Sequence, residues 1–220
     1  VNVLDELLDL LLPCHCALCG ATGPAICDNC FRALIRSPRA VERQNLHGWA
    51  AGDYGTTEMA LIRAFKEDGL TTLAPRLAEL VSMAYEGLVA EAPTQLDGSL
   101  LVPVPSSRVN FLKRGYLPTL LLAKQLNRQL GRPMVLKSAL RFIRAVEDQA
   151  GLSVERRGEN LSGSMTATSA VSGQRVILLD DVVTTGSTLA ESARAVRQAG
   201  GEVAGFLTFS ETILKSQAKS

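Results

Sequence analysis

The side chains best suited to chemistry in this 220-residue chain sit in one run, Val176-Ile177-Leu178-Leu179-Asp180-Asp181-Val182-Val183-Thr184-Thr185-Gly186-Ser187-Thr188-Leu189. Its apolar start reads as a buried parallel strand over Arg175–Leu179. Asp180 and Asp181 follow at the strand's C-terminal end, and Val183, Thr184, Thr185, Gly186, Ser187 and Thr188 form a turn that opens a helix. In open α/β sheets, ligands bind beyond the carboxyl ends of the strands. The free N–H groups of a helix's first turn favour a phosphate, and Gly186 lets the backbone approach it closely. Thr184, Thr185, Ser187 and Thr188 add hydroxyl donors. Two carboxylates repel phosphate but suit a diol or a metal. The run therefore fits a ligand with a phosphate at one end and sugar hydroxyls nearby. Two alternatives stand beside this reading. Asp-Asp after an apolar run can hold Mg²⁺ in a nucleotide hydrolase, but the Gly-x-x-x-x-Gly-Lys-Ser/Thr loop such a protein needs is absent. The other is a plain strand–turn–helix with incidental polar residues.

A second anion site is expected at Leu101-Val102-Pro103-Val104-Pro105-Ser106-Ser107-Arg108, a strand exit rich in N–H groups and hydroxyls, with Lys113-Arg114-Gly115-Tyr116 close behind. It opens a stretch, Gly98–Val146, that holds no Asp or Glu but contains Arg108, Lys113, Arg114, Lys124, Arg128, Arg132, Lys137, Arg141 and Arg144. A one-sign segment in a chain of net charge +1 points to a polyanionic partner. Solvated helix-surface charges are the bland alternative. All five cysteines lie between Cys14 and Cys30. Cys16/Cys19 and Cys27/Cys30 form two Cys-x-x-Cys knuckles, a spacing that permits tetrahedral ligation of a structural Zn²⁺. Cys14 and His15 are spare candidates. The two histidines, His15 and His47, lie far in sequence from the anion-binding segments, so a Ser-His-Asp or His-metal centre is not expected.

The Val176–Leu189 run resembles the signature of the type I phosphoribosyltransferases. That resemblance implies that Asp180 and Asp181 hold the ribose 2′- and 3′-hydroxyls of phosphoribosyl pyrophosphate and act as the catalytic pair, while Val183–Thr188 wraps the 5′-phosphate. It implies pyrophosphate binding by Ser106, Ser107, Arg108, Lys113 and Arg114, in a turn similar to that of amidophosphoribosyltransferases, with Mg²⁺ bridging pyrophosphate and ribose oxygens. Arg141–Asn160, including Gln149, Leu152, Arg156 and Arg157, is similar to the family's flap over the site. With the cysteine unit in front, nearly the whole chain resembles the ComF family of bacterial competence proteins. The resemblance runs from Pro13 through Ile62-Arg63-Ala64-Phe65-Lys66, Val102–Gly115 and Arg141–Asn160 to the phosphate run. There is one departure: Leu117-Pro118 follows Arg114-Gly115-Tyr116 where family members have Asn-Gln. The resemblance implies either a phosphoribosyltransferase, its acceptor unread, or a non-catalytic competence factor binding single-stranded DNA or a DNA translocase through its basic surface. Scarce aromatics argue against base stacking.

Strand–helix–strand alternation reads as an α/β fold, and the resemblance implies that it is of type I phosphoribosyltransferase kind. That means an open, mostly parallel sheet with helices on both faces, plus a small N-terminal Cys₄ zinc-binding unit. Helices are expected at Thr57–Lys66, Leu73–Leu88, Pro118–Leu130, Ser153–Arg157 and Ser187–Gln198. Strands are expected at Trp49–Tyr54, Leu100–Val104, Val135–Phe142, Arg175–Leu179 and Val203–Phe209. Residues 36–46 read as a polar connector. The expected units are 1–35 (leading helix and Cys₄ unit), 47–212 (transferase-like domain) and 213–220 (flexible tail). Val1–Leu12 carries Asp5, Glu6 and Asp9 and no basic residue, unlike a secretory leader, and is far shorter than a membrane span. It fits a short docking helix, and a cytoplasmic location is expected.

Overall fold

The computed structural model describes residues 14–92, 96–146 and 160–212. The expectations for Val1–Leu12, for Ser153–Arg157 and for 213–220 fall outside these residues, as do Gln149, Leu152, Arg156 and Arg157. In chain order the elements are α1 (Asp28–Leu34), β1 (Arg39–Arg43), β2 (Leu46–Ala50), α2 (Thr56–Lys66), α3 (Ala74–Glu91) and β3 (Leu100–Pro103). Then come α4 (Arg108–Arg114), α5 (Pro118–Gln129), β4 (Val135–Leu136), β5 (Leu140–Phe142), β6 (Met165–Ala167), β7 (Arg175–Val183), α6 (Ser187–Gln198) and β8 (Glu202–Glu211).

The main sheet runs β1-β2-β8-β7-β3-β4. Only β1 pairs antiparallel; the remaining neighbours are parallel. β7 is central because its side chains suit burial on both faces. Val176, Ile177, Leu178 and Leu179 have no solvent exposure, worth roughly 1.5–3 kcal/mol for each buried side chain. They alternate between two cores, as strand geometry requires. Ile177 and Leu179 join Leu61, Phe65, Leu77 and Leu122; Val176 and Leu178 join Leu140, Met165, Leu189 and Val196. Helices α2, α3 and α5 therefore cover one face, and α6 with the small β5–β6 ribbon covers the other. The cysteine unit has no separate core, since Ala25, Ile26, Phe31 and Leu34 belong to the first cluster.

Four expectations are corrected. Residues 36–46 are no connector: 39–43 form β1, and Gln44 and Asn45, both with positive φ, turn the chain into β2. Two left-handed residues in a two-residue loop suit a tight hairpin. The strand expected at Trp49–Tyr54 accordingly comes earlier, as β2. Val135–Phe142 is two strands in two sheets, β4 beside β3 and β5 beside β6. Finally, β7 does not stop at Leu179. It continues through both acids to Val183, because β8 goes on pairing with it from Asp180↔Thr208 to Val183↔Glu211.

Candidate functional site

β3 ends opposite Leu179, where Pro103 is its partner and the Val104 N–H donates to the Leu179 carbonyl at 2.9 Å. β7 runs on alone on that side, so Asp180 and Asp181 overhang the end of β3. The chain also changes direction here. From β3 it moves outward to β4, and from β7 it moves the other way to β8, which makes the crevice between them a topological switch point. A cleft of about 770 Å³ opens there. Asp180, Asp181, Thr184 and Thr188 line one wall, Ser106, Ser107, Asn110 and Arg114 the other, and Lys66 lies between.

The structure thus brings together the two segments singled out in the sequence, but not every residue in them. Val183, Thr185, Gly186 and Ser187 shape the turn without lining the cleft. Gly186 sits at φ +81°, a conformation that favours glycine, and a Cβ there would stand 2.7 Å from Arg43 Cβ. Ser187 then begins α6, with its hydroxyl 2.9 Å from Thr185 Oγ1. On the opposite wall Ser107 caps α4, its Oγ accepting from the Asn110 N–H at 3.3 Å. Arg108 faces a neighbouring apolar chamber of about 340 Å³ with Phe111, Leu120 and Phe142. Lys113 is 69% exposed and pairs with Glu67 at 3.2 Å, outside the cleft. Arg114 is 11% exposed, pairs with the same Glu67, and keeps a buried Nε with no hydrogen-bond partner.

Alternation along β7 sends Asp181 to the Ile177/Leu179 face, where α2 packs, and there Lys66 Nζ pairs with Asp181 Oδ2. Burial pushes the Asp180 carboxyl up, the neighbouring Asp181 charge adds to the rise, and the group stands at about 8 although Lys66 opposes both. Burial would raise Asp181 as well, but the Lys66 ammonium outweighs it and holds Asp181 below its ordinary value. Burial works against the charge of Lys66 too; Asp181 and Asp180 overcome it, so the ammonium is held above its usual range.

Three residues that matter to the site carried no signal of their role in the sequence. Arg43 is buried; its Nε donates to the Thr184 carbonyl at 3.1 Å, and its Nη2 donates to Glu211 Oε2 at 2.6 Å and to the Thr212 carbonyl at 2.9 Å. Glu211 also accepts from Arg39 Nε at 2.5 Å. Gln44 Nε2 reaches the Thr185 carbonyl at 3.3 Å. The β1–β2 hairpin thus grips the turn from behind. Lys66 is the third: a lysine in a helix's last turn is ordinary on dipole grounds alone.

The described residues that flank 147–159 are anchored on both sides. Arg144 Nη2 donates to the Asn160 and Ser162 carbonyls, each at 2.8 Å. On α6, the buried Glu191 accepts from the Gly163 and Met165 N–H groups at 3.2 and 2.8 Å.

The cysteine unit forms a second site, tied to the start of α3. Cys16, Cys19, Cys27 and Cys30 place their sulfurs within 4.8 Å of one another, and Cys19 and Cys27 are 3.7 Å apart. Tetrahedral thiolates about 2.3 Å from Zn²⁺ lie at nearly that separation, so the four fit a structural metal; Cys14 and His15 are not part of the group. Burial would raise the Cys16 thiol, but N–H groups led by that of Cys27 lower it to about 6, which favours the thiolate. α1 is held to α3 by Arg76, which pairs with Asp28 at 2.5 Å and lies 4.4 Å over the Phe31 ring. Among the described residues, no helix is long and apolar enough to cross a membrane.

Comparison with known proteins agrees with this architecture. The model of the phosphoribosyl transferase domain matches residues 113–215. Competence protein F of Haemophilus influenzae is 30% identical over 193 residues, covering 86% of this chain and 80% of that protein. DNA utilization protein YhgH of Salmonella typhimurium is 30% identical over 189 residues, covering 84% and 78%. A shorter match links 56 residues at 45% identity to orotate phosphoribosyltransferase of Pyrobaculum calidifontis, covering 24% of this chain and 29% of that protein.

Proposed function

Because this chain belongs to the competence protein F (ComF) family of proteins with a phosphoribosyl transferase domain, we propose that its cleft binds phosphoribosyl pyrophosphate or a related ribose phosphate. One observation carries this reading. The acid pair of β7 and the Thr184–Thr188 turn share a single cleft with Ser106, Ser107 and Arg114. The 5′-phosphate sits on the turn, where free N–H groups and hydroxyls converge. The sugar hydroxyls meet the acid pair. The pyrophosphate faces Arg114, whose buried Nε has a donor to spare. Mg²⁺ bound with the ligand would supply charge neutralisation at the pyrophosphate, beside Arg114. Positioning and charge complementarity then favour displacement of pyrophosphate from the ribose C1 by an acceptor. Expected outcome: millimolar phosphoribosyl pyrophosphate with Mg²⁺ raises the thermal midpoint. At a hundredfold excess over Kd the gain is about 2.7 kcal/mol, or roughly 5–10 °C at this chain length. Asp180→Asn with Asp181→Asn removes it. No shift in the wild type overturns the reading.

For the cysteine unit we propose structural zinc, measured as about one Zn²⁺ per chain by elemental analysis. A folded, metal-free preparation rejects it.

A second reading has its own support. The relatives' names tie them to competence and DNA utilization, and α4 turns Val109 and Leu112 outward beside Arg108 and Lys113. On this reading the protein serves DNA uptake in a cytoplasmic setting, with single-stranded DNA or a DNA translocase on that basic face. DNA binding of this kind weakens steeply with salt and survives Asp181→Asn; phosphoribosyl pyrophosphate binding needs Mg²⁺ and fails in that variant.

A further inference from the structure

Asp181 has little left to offer a ligand. Its Oδ1 accepts from the Val182 N–H at 2.8 Å, and its buried Oδ2 meets the Lys66 ammonium. Asp180 uses Oδ1 on the Asp181 N–H at 2.9 Å. Lys66 is differently placed. It lines the cleft with 29% of its side chain exposed. An ammonium has three donors; Asp181 takes one, and no second acceptor bonds Nζ among the described residues. Asp180 and Arg114 are the other charges that bear on it. The cation lies where the negative charge of the acid pair would draw a divalent ion.

We infer, on the ribose phosphate reading above, that Lys66 is the resident cation of the sugar subsite: anchored by Asp181, it donates to the ribose hydroxyl oxygens while Asp180 hydrogen-bonds to the same hydroxyls, so the ribose end binds without a divalent metal. Asp181 is then a positioning residue for Lys66. The metal requirement belongs to the pyrophosphate end of the ligand alone. The raised Lys66 and lowered Asp181 agree with a pair that stays charged.

The test is calorimetric titration of the full chain with ribose 5-phosphate and, separately, with inorganic phosphate, each in EDTA and in Mg²⁺. The wild type binds ribose 5-phosphate equally in both. Lys66→Met weakens it about tenfold or more in EDTA, the scale of a lost charged hydrogen bond. Inorganic phosphate carries no ribose hydroxyl for Lys66 to meet, so its affinity is unchanged in that variant. Lys66→Arg keeps the charge and restores most of the affinity, which keeps the test open if Lys66→Met folds poorly. Three results overturn the inference: wild-type binding lost in EDTA, unchanged ribose 5-phosphate affinity in Lys66→Met, or an equal fall for both ligands. Binding of neither ligand under any condition overturns the ribose phosphate reading itself, and this inference with it.

Discussion

The two walls of the cleft begin at neighbouring strand ends and are built in opposite ways. The turn after β7 is held from behind: the buried Arg43 and Glu211, joined by the exposed Gln44, fix its carbonyls and the end of β8. The wall after β3 is α4, which has no buried residue. Val109 and Leu112 are 72% and 70% exposed, and the helix is tied down through Glu67 to Lys113 and Arg114. Buried, multiply bonded elements open rarely, whereas elements held by surface contacts open at little cost. The difference fits the proposed division of labour. On that proposal the phosphate that stays with the sugar would meet the rigid wall, and the group that leaves the loose one.

Arg43→Ala gives the largest expected effect. It leaves Glu211 with Arg39 alone and strips the Thr184 and Thr212 carbonyls of a donor. Breaking a buried charge pair costs about 3–5 kcal/mol, read from urea unfolding, and inorganic phosphate affinity falls with it. A loss under about 1 kcal/mol would place the turn among the surface-held elements and erase the contrast. Glu67→Ala addresses the other wall. Both ion pairs are partly exposed, so stability falls by about 1 kcal/mol or less, while amide exchange over 108–114 quickens and exchange over 184–188 does not. Equal quickening in both would show the walls to be one unit.

His47→Gln gives the smallest effect and probes the outer end of the gripping hairpin. His47 lies 2.6 Å from Glu42 and 2.6 Å from Glu91. Burial works against the imidazolium, but the two carboxylates outweigh it and raise His47 above its ordinary value. A raised folded value stabilises fully below the unfolded one, about 6.5, and that contribution fades as pH climbs through the folded value. Wild-type stability therefore declines slightly as pH climbs above about 6.5 and through the folded value, and the variant's profile is flatter there. Glu91, held low by Trp49 and then His47, acts in a separate acid window. Identical profiles would mean that the hairpin's outer end adds nothing to its grip.

The rigid wall was also the legible one. From Val176 to Gln198 the strand, turn and helix follow one another in sequence, so apolar run, hydroxyls and Gly186 declare both element and role. The four cysteines declared theirs by spacing. What the sequence hid depends on distant partners. Charges at Arg39, Glu42 and Arg43 masked β1, and Gln44-Asn45 lacks the glycine that marks a tight hairpin in sequence. Lys66 gains its role from a carboxylate on another strand. Arg114 and Lys113 look equivalent on paper, yet helical geometry turns one into the cleft and the other to solvent. The length of β7 was hidden because β8, and not the local apolar pattern, decides where it ends.

That last feature has a consequence for how the protein tolerates change. β7 feeds its side chains alternately to two cores, so a slip of one residue would drive every apolar side chain into the wrong layer. Asp180 and Asp181 ride on the same strand, and one of them must face α2 for Lys66 to find it. The aim of the acid pair is thus guaranteed by the greasy residues before it. Loops around the cleft can drift in sequence, lengthen or acquire new specificity, and any version that still folds arrives with its carboxylates already aimed.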